Sequence, residues 1–463
     1  MSERVQRLGL LPLGRATFDV PFAETMLAGQ LAAIDRVFDR TVGPRELLFD
    51  TDAANAAIDD LAAARPDAIL VCQVTFTDAG TLMALAQRFP DTPLAVWAVP
   101  EPRLGGRLRL NAYCGLNLAG HALGQLGCSF APLYAAPDRV DERTLATLFD
   151  AGSMTGAPAL APTAPGDAPP ALAGKRIARI GQRPDGFTTC DYDAEAVAAR
   201  TGLAVEELAL DDLFERARAV PADRANAQRA ALEGHVRGLD EVDRAELDRS
   251  IRLERALQDM TGPDGYAACA IRCWPETFTE YGGAVCGGVS LSGERRVPCA
   301  CEADVWGAAT QLLLQHVADA PVFLTDMVDV DGTDDTIVFW HCGQAPLSML
   351  ADGGTAEATI HTNRKMPLLM QFALKPGTVT YCRLSTARGR EAMVVGAVEM
   401  LDRPMAFTGT SGVATLPMAA DAFTRAITDF GLEHHVALAY GDHREGLRQA
   451  AAGMGLPVVE FGP

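Results

Sequence analysis

Three short apolar runs shape the first part of this chain: VQRLGLLPL at 5–13, AILVCQV at 68–74 and LAVWAV at 94–99. The segments between them have helical period, as in ANAAIDDLAAARP at 54–66, and a first helix is expected from about Pro21 to Phe38. Strand-length apolar runs alternating with helix-length segments point to βαβ units and a parallel sheet. In such sheets the loops at the carboxyl ends of the strands line the ligand site. Here those loops carry Arg15, Gln73 and the stretch PEPRLGGRLRLNAYCGLNLAG at 100–120. Arg15 taken alone is equally well a surface charge.

The pattern then breaks and resumes. Residues 151–172 are rich in Ala, Pro and Gly without a period, as a linker would be. A strand is expected at 175–181 (KRIARIG), followed by the loop QRPDGFTTCDYD. Residues 207–260 are helix-rich, and the alternating charges from Arg224 to Met260 suit a solvated helix pair. A strand at 266–273 (YAACAIRC) carries Arg272 to its end, with Trp274 just beyond. Between 355 and 415 the runs TVTYCRL, EAMVVGAVEM and MAFTG are separated by the turn signals KPG, ARGR and DRP. Close strands with short turns predict a small antiparallel sheet or barrel. A last αβ unit runs from about Ala419 to Phe461. With 463 residues, more than one domain is the starting expectation. The chain is therefore expected to be α/β, with two Rossmann-like parallel-sheet domains (1–165 and 166–345) and a β-rich, barrel-like C-terminal domain (346–463).

Composition excludes several roles. A net charge of −20 disfavours wrapping nucleic acid or sitting on an anionic membrane. No run of about eighteen apolar residues is available to span a bilayer. The start MSERVQRLGLLPLG has no apolar signal core, so a cytoplasmic protein is expected. Its eleven cysteines have no framework spacing and are expected to be reduced. Cys299 and Cys301 lack a nearby second pair, which argues against tetrahedral zinc.

The densest chemistry lies between Pro298 and Pro346, where Glu302 is expected to open a helix and Asp326 and His341 to end strands. Two carboxylates with one imidazole suit a hard divalent cation such as Mn²⁺ that must also bind sugar hydroxyls. Such a site would support proton transfer between C1 and C2 of a sugar through an enediol. Other readings stand beside this one. Glu302 would also complement a helix dipole. Asp326, Asp329, Asp331, Asp334 and Asp335 would also make a solvated acidic loop, without the EF-hand pattern. His341 would also serve as a core histidine, and the pair His434-His435 is ambiguous alone.

Three segments carry a resemblance: CEADVWGAAT at 301–310, VFLTDMVD at 322–329 and EHHVALAYGDHREGLRQAAAGMGLPV at 433–458. Together they resemble the L-fucose isomerase and L-arabinose isomerase superfamily. The resemblance implies an aldose–ketose isomerase using Mn²⁺ or another divalent cation. Glu302, Asp326 and His435 fall on its metal ligands, with Glu302 and Asp326 also catalytic. Gly14-Arg15 is similar to an early Gly-Arg of the family that contacts substrate. Arg15, Arg272, His341 and His434 are expected at the sugar, with His341 either a contact or a fourth ligand. The resemblance further implies a homo-oligomer, trimer or hexamer, with sites near subunit interfaces. Arg15, Arg183 and Arg272 would accommodate an anionic substituent such as a sulfonate, carboxylate or phosphate. Two other functions share these features: a metal-dependent aldolase or epimerase, and a non-catalytic sugar-binding protein.

Overall fold

The computed structural model describes residues 5–161, 163, 172–262 and 265–462. Part of the expected linker at 151–172, and the expected boundary at 165/166, lie outside the described residues.

The first sheet is all parallel. Its strands are β1 (Leu8–Leu13), β2 (Thr41–Val42), β3 (Ala68–Gln73), β4 (Leu94–Ala98) and β5 (Phe130–Tyr134), in the order β2-β1-β3-β4-β5. β1, β3 and β4 are buried along their whole length, which is why their sequences read as unbroken apolar runs. The helix Ala112–Gln125 follows the cleft-side loop and is buried from Ala112 to Gly124. It packs on β4 and also touches the C-terminal half. There, Tyr113 Oη lies 3.3 Å from Thr424 Oγ1, and His121 Nδ1 lies 3.0 Å from the Gly431 carbonyl.

The second sheet is also parallel, with β6 (Arg176–Ile180) and β7 (Ala204–Leu208) joined by β9 (Ala268–Ile271) and β10 (Cys299–Ala300) in the order β10-β9-β6-β7. The intervening β8 (Val236–Arg237) belongs to the third sheet. The charged stretch forms the helices Leu210–Ala219, Ala222–Glu233 and Arg244–Met260.

The third sheet has ten strands: β8, β11 (Phe323–Asp331), β12 (Thr336–His341), β13 (Ala356–Thr359), β14 (Leu369–Ala373), β15 (Gly377–Ser385), β16 (Ala392–Met400), β17 (Thr410–Thr415), β18 (His435–Tyr440) and β19 (Val458–Glu460). Six of them, β16-β15-β18-β11-β12-β17, are antiparallel neighbours, and a contact between Met400 of β16 and Ala414 of β17 closes the ring. Closure leaves no free edge among these six strands.

Two sequence expectations change here. Asp326 sits within β11 rather than at its end, because β11 and β12 form an antiparallel hairpin across the acidic turn at 331–335. MAFTG at 405–409 is not a strand; it is the bend before β17. Gly409 turns the chain there at φ +118°, where a Cβ would lie 2.8 Å from the His341 carbonyl.

Candidate active site

Glu302 enters the site from a short 3₁₀ turn, Cys301–Ala303, immediately after β10. Glu302 and Ala303 both take left-handed backbone angles, with φ of +58° and +54°. Such angles are costly for residues with a side chain and cluster where function over-determines the backbone. The helix that Glu302 was expected to open begins three residues later, as Val305–Ala318. Its cap is Asp304, whose carboxylate accepts the Gly307 N–H at 2.8 Å. Gly307 is required, since a Cβ there would lie 2.4 Å from Asp304 Oδ2. Glu302 is thus released from capping and aims at the cleft.

The barrel supplies the other ligand candidates. Asp326 of β11 and His435 of β18 are directly opposed across an antiparallel pair, so they share one face. His435 Nε2 lies 3.5 Å from Asp326 Oδ1 and 3.8 Å from Glu302 Oε2. The His341 ring, at the end of β12, is centred 5.8 Å from that of His435. Ligand atoms of Asp326, His341 and His435 all lie within 4.8 Å of one another, as do those of Glu302, His434, His435 and Cys190. Burial keeps Cys190 a thiol, since its pKa is raised well above the ordinary value.

His435 is held in one tautomer. Its Nδ1–H donates to Asp304 Oδ2 at 2.9 Å, so Nε2 is the nitrogen that faces Glu302 and Asp326. Asp304 in turn is clamped by Arg383, with Nη1 2.5 Å from Oδ2 and Nη2 3.0 Å from Oδ1. Both members of that ion pair are fully buried. Glu302 is also fixed: Oε1 accepts the Trp274 Nε1–H at 3.0 Å, and Oε2 lies 3.0 Å from His434 Nε2.

The two carboxylates differ in basicity. Burial opposes ionisation of Glu302, but the His434 hydrogen bond, the neighbouring histidines and the Trp274 N–H outweigh it and hold the group at about 2. Asp326 has no such donors, and burial pushes it up to about 7. Burial also keeps His434 neutral, at about 4, and His341, at about 3. Three buried atoms remain without partners here: Asp326 Oδ1, His341 Nε2 and His434 Nδ1. A buried polar atom without a partner calls for an explanation, and three gathered at one centre of carboxylates and imidazoles suit an ion, water or substrate oxygen.

The cleft around this centre is lined by all three parts of the chain. Arg15, Phe18, Phe76 and Asn111 come from the first, Trp274 and Glu302 from the second, and Asp326, His341 and His434 from the barrel side. Arg15 is there as expected, paired with Asp78 at 2.7 Å. Arg272 is not brought to the cleft. Glu276, one turn along the chain, holds its Nε at 2.6 Å, and the carbonyls of Gln182 and Arg183 take Nη1. Arg183 is likewise held by Asp191.

Sequence reasoning missed Asp304, Arg383 and the turn His361–Arg364, which also lines the cleft. The first two left faint signals: an Asp just before an apolar helix, and an Arg inside the β-like run TVTYCRL. The turn reads only as polar.

Comparison with known proteins bears on what this cleft does. Residues 9–148 match the family described as "Fucose/sulfoquinovose isomerase, N-terminal domain", and residues 370–462 match "L-fucose isomerase, C-terminal domain". A sulfoquinovose isomerase of Alkalicoccus urumqiensis is 31% identical, over 97% of this chain and 98% of that protein. The chain belongs to the fucose isomerase-like family. Members of this family named sulfoquinovose isomerase in Priestia aryabhattai and Clostridium sp. (strain MSTE9) are 28% and 27% identical, over 94% and 96% of this chain and 95% and 97% of those proteins. Among solved structures, an ABC sugar transporter subunit from Rhodobacter sphaeroides covers 64% of this chain and 77% of its own at 12% identity, with a TM-score of 0.25 that carries no argument. This fucose isomerase-like protein is thus a sugar isomerase, with mixed α/β architecture and, among its described residues, no helix long and apolar enough to cross a membrane. Glu302 and Asp326 fall between the two matched segments, so their roles rest on the geometry above.

Proposed function

We propose that the protein interconverts the aldose and ketose forms of a sulfosugar, sulfoquinovose, with the help of a divalent cation such as Mn²⁺. One observation carries the metal reading. Asp326 Oδ1 and His341 Nε2 are buried without partners beside a histidine whose Nε2 faces two carboxylates. That donor set of carboxylate oxygens with imidazole fits a hard or borderline divalent ion, held by Glu302, Asp326 and His435, with His341 a fourth ligand or a sugar contact. When bound, the cation polarises the sugar carbonyl and acidifies the adjoining hydroxyl.

The chain's own groups move the protons. Glu302, held ionised, accepts the proton leaving C2. Asp326, ionised as a cation ligand must be, takes the proton of the C2 hydroxyl and passes it to the oxygen on C1, through the enediol level. Glu302 then returns its proton to C1, and the ketose results with both carboxyls restored. Trp274 and His434 keep Glu302 aimed, and the apolar walls of Phe18 and Phe76 limit water at the reacting carbons. The family resemblance supports a homo-oligomer, trimeric or hexameric, and a cytoplasmic location as part of the same reading.

The test is turnover of sulfoquinovose and neutral aldoses in deuterated water, with Mn²⁺ and after chelation. Metal-dependent ketose formation with deuterium at C1 or C2 is expected, and Glu302→Gln should slow it by about 10²- to 10⁴-fold. Cleavage products in place of ketose, or full turnover by Glu302→Gln, would overturn the assignment.

A further inference from the structure

Two guanidinium groups line the cleft, and they are treated differently. Arg15 is neutralised by Asp78 at 2.7 Å. Arg364, on the turn between β13 and β14, meets no carboxylate within 4.0 Å and makes no side-chain hydrogen bond among the described residues, although it is half-buried. It lies instead over aromatic faces, 4.7 Å from the centre of the Trp274 ring and 5.5 Å from that of Phe278. Arg15 approaches the same Trp274 ring at 5.7 Å. A half-buried cation without a counter-charge, placed near a second cation around one indole, costs free energy that an anion would recover.

From these contacts we propose that Arg364, assisted by Arg15, receives the anionic substituent of the sugar and sets the preference for an anionic over a neutral hexose. The inference rests on the isomerase reading above and names the specificity residue of that site.

Trp274 supplies the spacing. Its Nε1–H is fixed on Glu302 Oε1 at 3.0 Å, so one end of the indole marks the reacting carbons. Its ring face carries the guanidinium groups. A hexose with its carbonyl chemistry at C1 and C2 and its anion on C6 needs two recognition points, and Trp274 touches both a carboxylate and the guanidinium groups. The turn is also preorganised. His361 Nδ1 accepts the backbone N–H groups of Asn363 and Arg364 at 3.2 and 3.3 Å, and Lys365 N–H closes on the His361 carbonyl at 2.8 Å. Asn363 Oδ1 accepts from Arg107 at 3.1 Å. Burial lowers the pKa of Arg364 and the Arg15 charge adds to it, the direction expected of a cation awaiting an anion. Guanidinium is suited to the task because its planar fork pairs two oxygens of a sulfonate at once.

The experiment compares kcat/KM for sulfoquinovose with that for its neutral 6-deoxy analogue, in the metal-loaded wild type, Arg364→Gln and Arg364→Lys. Arg364→Gln should lose roughly 10- to 100-fold on the sulfosugar, mostly through KM, and stay within about threefold on the neutral sugar. Arg364→Lys should restore part of the loss. If the wild type turns over sulfoquinovose and Arg364→Gln keeps its preference, this inference fails while the isomerase reading stands. Equal losses on both sugars, at unchanged Tm and metal content, would also overturn it. A wild type inactive on sulfoquinovose would instead overturn the reading on which it rests.

Discussion

At the scale of single residues, the site depends on a side chain that never faces the sugar. Asp304 caps a helix, neutralises Arg383 and fixes the tautomer of His435 with one carboxylate. Asp304→Asn keeps the shape but lets the amide present N–H to His435 Nδ1, which reverses the ring's protonation preference. Mn²⁺ affinity measured by titration should fall about 10- to 100-fold. The Arg383 guanidinium also loses its counter-charge, so a lower Tm is expected as well. An unchanged Mn²⁺ affinity, whatever the Tm, would refute the orienting role. The gathering of Glu302, Asp326 and His435 was legible in the sequence because carboxylates and histidines advertise metal chemistry and the surrounding segments resemble a known family. Asp304 and Arg383 were not, because their chemistry appears only once the turn after β10 and strand β15 are brought together. Arg272 failed in the opposite sense: its position at a strand end was right, but Glu276, one turn on, captures the guanidinium.

At the scale of elements, the loop from Pro100 to Asn111 is anchored by one buried acid. Glu101 accepts the backbone N–H groups of Arg109, Leu110 and Asn111, at 3.1, 2.5 and 2.6 Å. Those bonds place Asn111, with φ +52°, at the head of the helix Ala112–Gln125 and in the cleft wall. Burial nevertheless pushes the carboxyl up from 4.5 to about 7, with the Asp329 charge adding to it against the three N–H donors. A folded-state pKa above the unfolded value means the folded state holds its proton longer. This group's contribution to stability therefore declines as pH rises from about 4.5 to about 7. In Glu101→Gln that slope should vanish from a Tm-against-pH curve. The amide also turns one N–H pair toward backbone donors, so a loss of about 1–3 kcal/mol is expected at pH 5. A variant curve parallel to the wild type would show that Glu101 does not titrate there. Strands were legible where both faces are buried, as in β1, β3 and β4, because the whole run is apolar. The hairpin β11–β12 was harder. Its turn at 331–335 is acidic enough to be taken for a solvated loop, and its apolar strands look the same in a parallel unit or a barrel.

At the scale of the whole molecule, the apolar cores divide unevenly. The first sheet has a core of its own, drawn from residues up to Leu148. The second sheet and the barrel share one: Ile177, Ala270 and Ala300 pack in the same cluster as Leu324, Cys382 and Ala437, with the helix Val305–Ala318 between them. The candidate ligands follow that shared core, since Glu302 leaves the second sheet while Asp326 and His435 lie on barrel strands. A bound cation would therefore tie together two layers that share a core, whereas the first layer meets them through the helix Ala112–Gln125 and the cleft wall and supplies none of the candidate ligands. Calorimetry should accordingly resolve two transitions, of which Mn²⁺ raises only one. At a free concentration about 100 times Kd the linkage adds about 2.7 kcal/mol to the metal-bearing unit. Chelation should reverse the shift, and Asp326→Asn should abolish it while leaving the other transition in place. A metal-induced rise of both transitions together would mean that the first sheet is coupled to the site as tightly as the barrel is, and a shift that survives Asp326→Asn would place the cation elsewhere in the fold.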